Sequence, residues 1–513
     1  MKLGSKSRRN ARRILTSVGA LALMGVMCGR AHALEPEVTS ETAAQFYDVR
    51  SPTGETVLRR RRITTTLGVS AYDLIDKPQT VDPTAPTLSF RARLRYDPDY
   101  GASGAETDEA NFGRVVPGYS RGPVDLMYGY VEGRRFLKGW LSFRVGRQYV
   151  TDALGWWSFD GGQVKITTPY YFAVEATGGL EVRGGMPLST PRFERDGIWR
   201  GDRTGYDPSL HPAFQPSDIA PAYGAALESA GFPWLHGRLT YRRVYNTGAS
   251  NVSQFSNGLT QPATYNGTRI SQERLGYAMD GTLANLGGVK AGFAYDLYNA
   301  RIPQAFASVD VFATQRLTLS ADYDFYQPTF DADSIWNIFA ASPMNDIGLR
   351  ASLDATDKIA LSGGGHARIF SVQTGPDTLS SPTSPLAAQN TYPSSGAELA
   401  GGGDLSARYH WGEGHLGARG AADFGKQGNR VGMDVFGERT LETRFVLQGR
   451  VGGWEWKDSL RPDRHATSVG YVAGVGYKLL RRSLVLADFE HNINRVEGQR
   501  FRVMLWLSVA VGK

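Results

Sequence analysis

FRVMLWLSVAV, residues 501–511, is the stretch on which the reading of this chain turns. Phe501, Val503, Leu505, Leu507, Val509 and Val511 are apolar, and Arg502, Met504, Trp506, Ser508 and Ala510 stand between them. Successive side chains of an extended chain point to opposite faces, so this period of two gives one unbroken apolar face. Its length matches the ~9–11 residues with which a tilted strand crosses a bilayer.

The pattern recurs upstream. Leu317, Leu319, Ala321, Tyr323 and Phe325 alternate with Thr318, Ser320, Asp322 and Asp324, and Leu88, Phe90, Ala92, Leu94 and Tyr96 alternate with Ser89, Arg91, Arg93 and Arg95. Soluble strands are usually ~5–6 residues long, and these apolar sets run longer without a polar interruption. Aromatics stand near the ends of the apolar faces, as Tyr471 and Tyr477 do, where the two interfacial girdles of a membrane barrel are expected. Short turns at 134–138, 285–287, 314–315, 355–357, 410–414 and 480–482 alternate with long polar loops at 98–123, 183–220, 247–269, 327–343, 371–398 and 454–467. Short periplasmic turns and long external loops are the outer-membrane arrangement. About 21 strands follow Arg61, and a short one near Gln45–Arg50 would make the number even. The expectation is all-β, with residues 34–513 forming a single transmembrane antiparallel up-and-down β-barrel of about 20–22 strands with long extracellular loops.

The final strand resembles the carboxyl-terminal assembly signal of Gram-negative outer-membrane proteins, although those usually end in an aromatic and this chain ends Val511-Gly512-Lys513. Trp140–Tyr149, with Arg144-Val145-Gly146-Arg147-Gln148, is similar to a stretch in porin-like barrels of the alginate-export type. The resemblance implies an outer-membrane location, delivery to the barrel assembly machinery, and passage of anionic solutes.

Residues 1–33 read as a signal peptide: a basic start (Lys2, Lys6, Arg8, Arg9, Arg12, Arg13), an apolar run 14–27 and the small-x-small site Ala31-His32-Ala33. The apolar run is shorter than the ~20 residues a membrane helix needs. The whole chain has 57 Lys+Arg and 50 Asp+Glu, and seven of those bases but no acid lie before residue 34, leaving 50 of each. The basic pI therefore belongs to the leader and is no argument for nucleic acid. Cys28 is the single cysteine, so the mature chain has neither disulfides nor thiolate metal sites.

Motifs of enzyme chemistry lack their context. Gly118-Tyr119-Ser120-Arg121-Gly122 has the G-x-S-x-G spacing, but a nucleophile elbow needs a strand before it and a helix after it, and Pro117 and Pro123 flank it in a polar loop. The G-x-G-x-x-G of Gly412–Gly417 leads into period-two alternation rather than the helix that would hold a phosphate. His410 and His415 flank that turn without metal-site spacing, and Asp331 and Asp333 suit a solvated loop better than a Ca²⁺ site. No enzyme activity and no cofactor are expected.

The faces opposite the apolar ones carry charge. Arg60 and Arg62 share a face with Thr64, Thr66 and Ser70; if their strand pairs with that of Arg91, Arg93 and Arg95, five guanidiniums line one patch of wall. Glu175, Asp322 and Asp324 fall on other strands, with Arg350, Arg368, Arg419 and Arg444 elsewhere. Two readings stay open: a wet pore with a cationic strip facing acidic ones, or ion pairs bracing a wide wall. The expected function is passive passage of small hydrophilic, preferentially anionic, solutes across a lipid bilayer. The alternatives are a structural or adhesive barrel that binds partners through its external loops, and an outer-membrane hydrolase.

Overall fold

A computed structural model describes residues 35–75, 85–97, 124–182, 219–247, 250–252, 263–265, 267–327, 329, 343–370, 397–426, 428–459, 462–480, 482–496 and 498–511. Residues 1–33, expected to be a leader, the Gly118–Gly122 segment with Ser120, and Asp331 and Asp333 lie outside the described residues. Alternation of apolar and polar residues, with many β-branched and aromatic side chains, produces strands almost throughout. In the first half these are β1 (Glu35–Arg50), β2 (Thr56–Tyr72), β3 (Thr87–Tyr96), β4 (Val124–Phe136), β5 (Leu141–Asp152), β6 (Gly155–Thr167), β7 (Phe172–Glu181), β8 (Pro221–Ser229), β9 (Leu235–Asn246), β10 (Ser250–Val252), β11 (Ala263–Tyr265) and β12 (Arg269–Leu283). The second half contains β13 (Gly287–Asp296), β14 (Arg301–Phe312), β15 (Leu317–Tyr326), β16 (Met344–Asp354), β17 (Ile359–Phe370), β18 (Glu398–Trp411), β19 (Gly414–Gly425), β20 (Gly428–Leu441), β21 (Phe445–Asp458), β22 (Ala466–Leu480), β23 (Ser483–Asn494) and β24 (Gly498–Val511).

Each long strand pairs antiparallel with its neighbours, and β1 pairs with both β2 and β24, so 22 strands close into a ring without edges. The tiny β10–β11 hairpin lies outside the ring, and β9 pairs directly with β12. Closure satisfies the backbone of every wall strand, the condition for crossing a hydrocarbon layer. Among the described residues no helix is long and apolar enough to cross a membrane.

The number of strands falls within the expected range, but the first strand is longer than expected, running from Glu35 rather than from Gln45. Glu35 and Val511 stand at one end of the barrel. All the short turns read from the sequence lie at that end and all six long loops at the other. Phe501, Val503, Leu505, Leu507, Val509 and Val511 face outward as expected. Tyr477 with Phe445 near one rim, and Tyr471 with Phe489 and His491 toward the other, sit where girdles belong. Gly412 and Glu413 form the β18–β19 hairpin turn, as expected of a chain that returns as a strand.

Candidate functional site

Residues that point into the lumen make the wall of any path through the barrel. β2 and β3 pair with Thr66 opposite Arg95, Gly68 opposite Arg93 and Ser70 opposite Arg91. Arg62 therefore lies beyond the end of β3, and the arginines form one column along the wall instead of a block. The side chain of Arg60 lies outside the described residues. Most of the column is neutralised. Arg62 makes a two-pronged pair with the fully buried Asp97, Nε to Oδ1 at 2.7 Å and Nη2 to Oδ2 at 2.6 Å, and Thr64 donates to the same carboxylate. Arg95, itself buried, pairs with Asp125 at 3.0 Å. Arg93 pairs with Glu41 of β1 and donates to Thr66 at 2.8 Å. Arg91 differs: its guanidinium lies 5.2 Å from the Tyr72 ring centre, and no carboxylate among the described residues pairs with it.

The rest of the wall is laced in the same way. Glu175 receives Arg238 at 2.6 Å, and Glu228 joins Arg238 at 2.8 Å and Lys165 at 2.9 Å. Arg350 pairs with Asp404 at 2.9 Å, with Arg419 3.8 Å from the same carboxylate, and Arg368 pairs with Asp346 at 2.5 Å. Arg444 stands in the β20–β21 turn at the rim rather than on the wall. Asp322 and Asp324 on β15 have no cationic partner among the described residues. Strands eleven places apart in a ring of 22 face each other, and from β2 the eleventh, counting β3 to β9 and then β12 to β15, is β15. The arginine column thus looks across the lumen at the unpaired aspartates.

One part of the wall leaves the ring. Gly146 (φ 130°) lies so close to Gly129 and Tyr130 of β4 that a side chain at 146 would strike their backbone. Beyond it, β5 and β6 lean inward over β7 and β8. The hairpin tip carries Leu154 against Gly276 of β12, whose ideal Cβ would stand 2.7 Å from Leu154 Cδ2. Asp152 at the tip pairs with Arg242 of β9 at 3.1 Å, the two side chains being 2% and 4% exposed. Arg242 also lies 4.8 Å over the Trp157 ring. Beneath the tip Trp157 and Phe159, stacked 4.2 Å apart, pack with Ala220, Ala222 and Val244 into a small apolar core. Neither this core nor the Asp152–Arg242 pair was marked by the sequence. The one local signal is Gly146 in the middle of a strand, where glycine often marks a bend or a close backbone approach.

A closed ring with an apolar outer belt and an ion-paired interior defines the class of membrane-spanning β-barrels. No family model and no curated protein matches the chain. Among solved structures it is similar to OccAB4 of Acinetobacter baumannii (8% identity, TM-score 0.44, 94% of this chain and 98% of that one). It is also similar to a BenF-like porin of Pseudomonas fluorescens Pf-5 (8%, 0.44, 94% and 99%) and to the outer membrane protein opdK of Pseudomonas aeruginosa (9%, 0.41, 93% and 99%). At such identities and superpositions, what this barrel does has to be argued from its own wall.

Proposed function

We propose that the mature protein, residues 34–513 after loss of the leader, is a Gram-negative outer-membrane channel for passive passage of small hydrophilic solutes, with a mild preference for anions. The observation that carries this reading is Arg91, the one described arginine of its column that no described carboxylate pairs with, on a wall of 22 strands whose unpaired Asp322 and Asp324 stand on the opposite side. Strands about 4.8 Å apart and tilted by about 40° give a circular ring roughly 45 Å across. Side chains from opposite walls cannot fill that width, so water does. The width also limits selectivity: charges are screened over ~8 Å at physiological ionic strength, much less than the gap between Arg91 and Asp322. Any ion preference is therefore local to the wall, strongest for solutes that pass along β3 beside Arg91 and out of reach of the aspartates of β15.

Anionic solutes are also what the resemblance of Trp140–Tyr149 to alginate-export porins implies. Delivery to the outer membrane by the barrel assembly machinery belongs to the same reading. The test is single-channel recording of the refolded protein in a planar bilayer. Open conductance is expected, with anion preference visible at about 10 mM KCl, where the screening length is ~30 Å, and faded at about 1 M, where it is ~3 Å. A barrel that never conducts would be structural or adhesive instead.

A further inference from the structure

A cavity of about 160 Å³ opens on the lumenal face where β17, β18, β19 and β20 end, at the rim away from the termini. Its walls carry both signs of charge. Arg368 and Lys426 supply guanidinium and ammonium, Glu398 and Asp423 supply carboxylates, and Phe370 adds an apolar ring. Part of the floor is backbone, because Gly425 and Gly428 put no side chain into the space. Glycine at 402 has a related effect. An ideal Cβ there would stand 2.6 Å from Asp423 Oδ1 and 2.9 Å from His366 Cε1, so only its absence lets His366 and Asp423 meet across β18, at 3.1 Å.

We propose that this cavity is a binding site for a small zwitterion with an apolar body, of the kind presented by a free α-amino acid, held at the mouth before passage; the proposal rests on the channel reading above. The charges form partly solvated pairs: Lys426 with Glu398 at 3.1 Å and Arg368 with Asp346 at 2.5 Å, the two cations 64% and 41% exposed. Exposed pairs are worth about 0–1 kcal/mol, so a solute can replace one partner at little cost. A carboxylate suits the planar fork of Arg368, an ammonium suits Glu398 or Asp423, and the hydrocarbon lies on Phe370. A simple anion would meet both carboxylates of the wall, and a simple cation would meet both bases. Only a solute with the two charges on one short skeleton is matched on both sides.

The experiment is calorimetric titration of the refolded mature barrel with L-phenylalanine, N-acetyl-L-phenylalanine as the anion and L-phenylalanine amide as the cation. Phenylalanine should bind about tenfold more tightly than either derivative, a difference of ~1.4 kcal/mol. Ala400→Phe, which fills the cavity and leaves every charge in place, should abolish binding while KCl conductance persists. Arg368→Gln and Glu398→Gln should each weaken it. Equal binding of either derivative, no binding at all, or binding that survives Ala400→Phe, overturns the site. If wild type passes no KCl current the channel reading fails instead, and the titration still decides the site alone.

Discussion

Asp152 and Arg242, ninety residues apart in sequence, pair at 3.1 Å inside the barrel and hold the tip of the β5–β6 hairpin against the opposing strands. Removing one partner of a buried pair costs about 3–5 kcal/mol, because the other charge is left stranded, whereas neutralising both costs far less. Arg242→Leu should therefore lower the unfolding temperature of the barrel and, by freeing the tip, raise the single-channel conductance. The double variant Asp152→Asn with Arg242→Met should recover most of the stability. Wild-type stability and conductance in Arg242→Leu would mean that Leu154 and the Trp157–Phe159 core hold the hairpin without the ion pair.

The arginine column divides into a free and a neutralised part, and the reversal potential in a KCl gradient separates them. Arg91→Ser removes an uncompensated charge and should shift the potential toward cations. Arg95→Ser combined with Asp125→Asn removes a pair of zero net charge and should leave the ion preference where it was while weakening the wall. If both variants shift the potential alike, or neither does, Arg91 has no special place in the path.

Connection lengths set the orientation, with the termini expected on the periplasmic side. Asp463 lies in the turn before β22 and Asp357 in the turn before β17, at opposite ends and both well exposed. Cys28 is the single cysteine of the chain and is expected to leave with the leader, so single cysteines at 463 and 357 can be read on intact cells with an impermeant maleimide. Labelling is expected at 463 only; the reverse result inverts the barrel.

Outward residues of β24 report the solvent of the outer face. Leu505 and Leu507 point away from the lumen, 44% and 38% exposed. Lysine at either should cost roughly 2–4 kcal/mol near the midplane and cut the assembled yield. Ser508→Lys should be tolerated, because Ser508 faces the lumen opposite Glu41. Equal yields for all three would mean that the outer face does not meet lipid.

Where side chains alternate strictly, as along β15 or β24, the strand and its faces were legible from residue order alone. β1 was recognised only in part because Ser40 and Thr42 interrupt its outward face. The wall tolerates them: the Thr42 hydroxyl bonds to that of Thr65 on β2 at 3.1 Å, so that polar group is not left bare toward lipid. The arginine column was legible as a face but not as a set of pairs. Glu41 came from the unrecognised half of β1, and Asp125 came from the strand beyond a long loop. Asp97 was within reach, being two residues past Arg95 and on the same face. The Asp152–Arg242 contact left no periodic trace, since it depends on where two distant hairpins meet.

The seam between β1 and β24 sets Val38 beside Val511, whereas nearly every other pairing joins strands adjacent along the chain. All but this one ladder can form hairpin by hairpin in the order of synthesis. The last cannot start until the chain is complete, so an unfinished barrel carries two bare edges that invite pairing with other chains. Ring closure is thus the step before which those edges have to be kept from other chains. It also makes the position of the ends arbitrary: a short linker between the neighbouring termini, with a new break in any tight turn at the same rim, should yield a permuted chain that closes into the same ring.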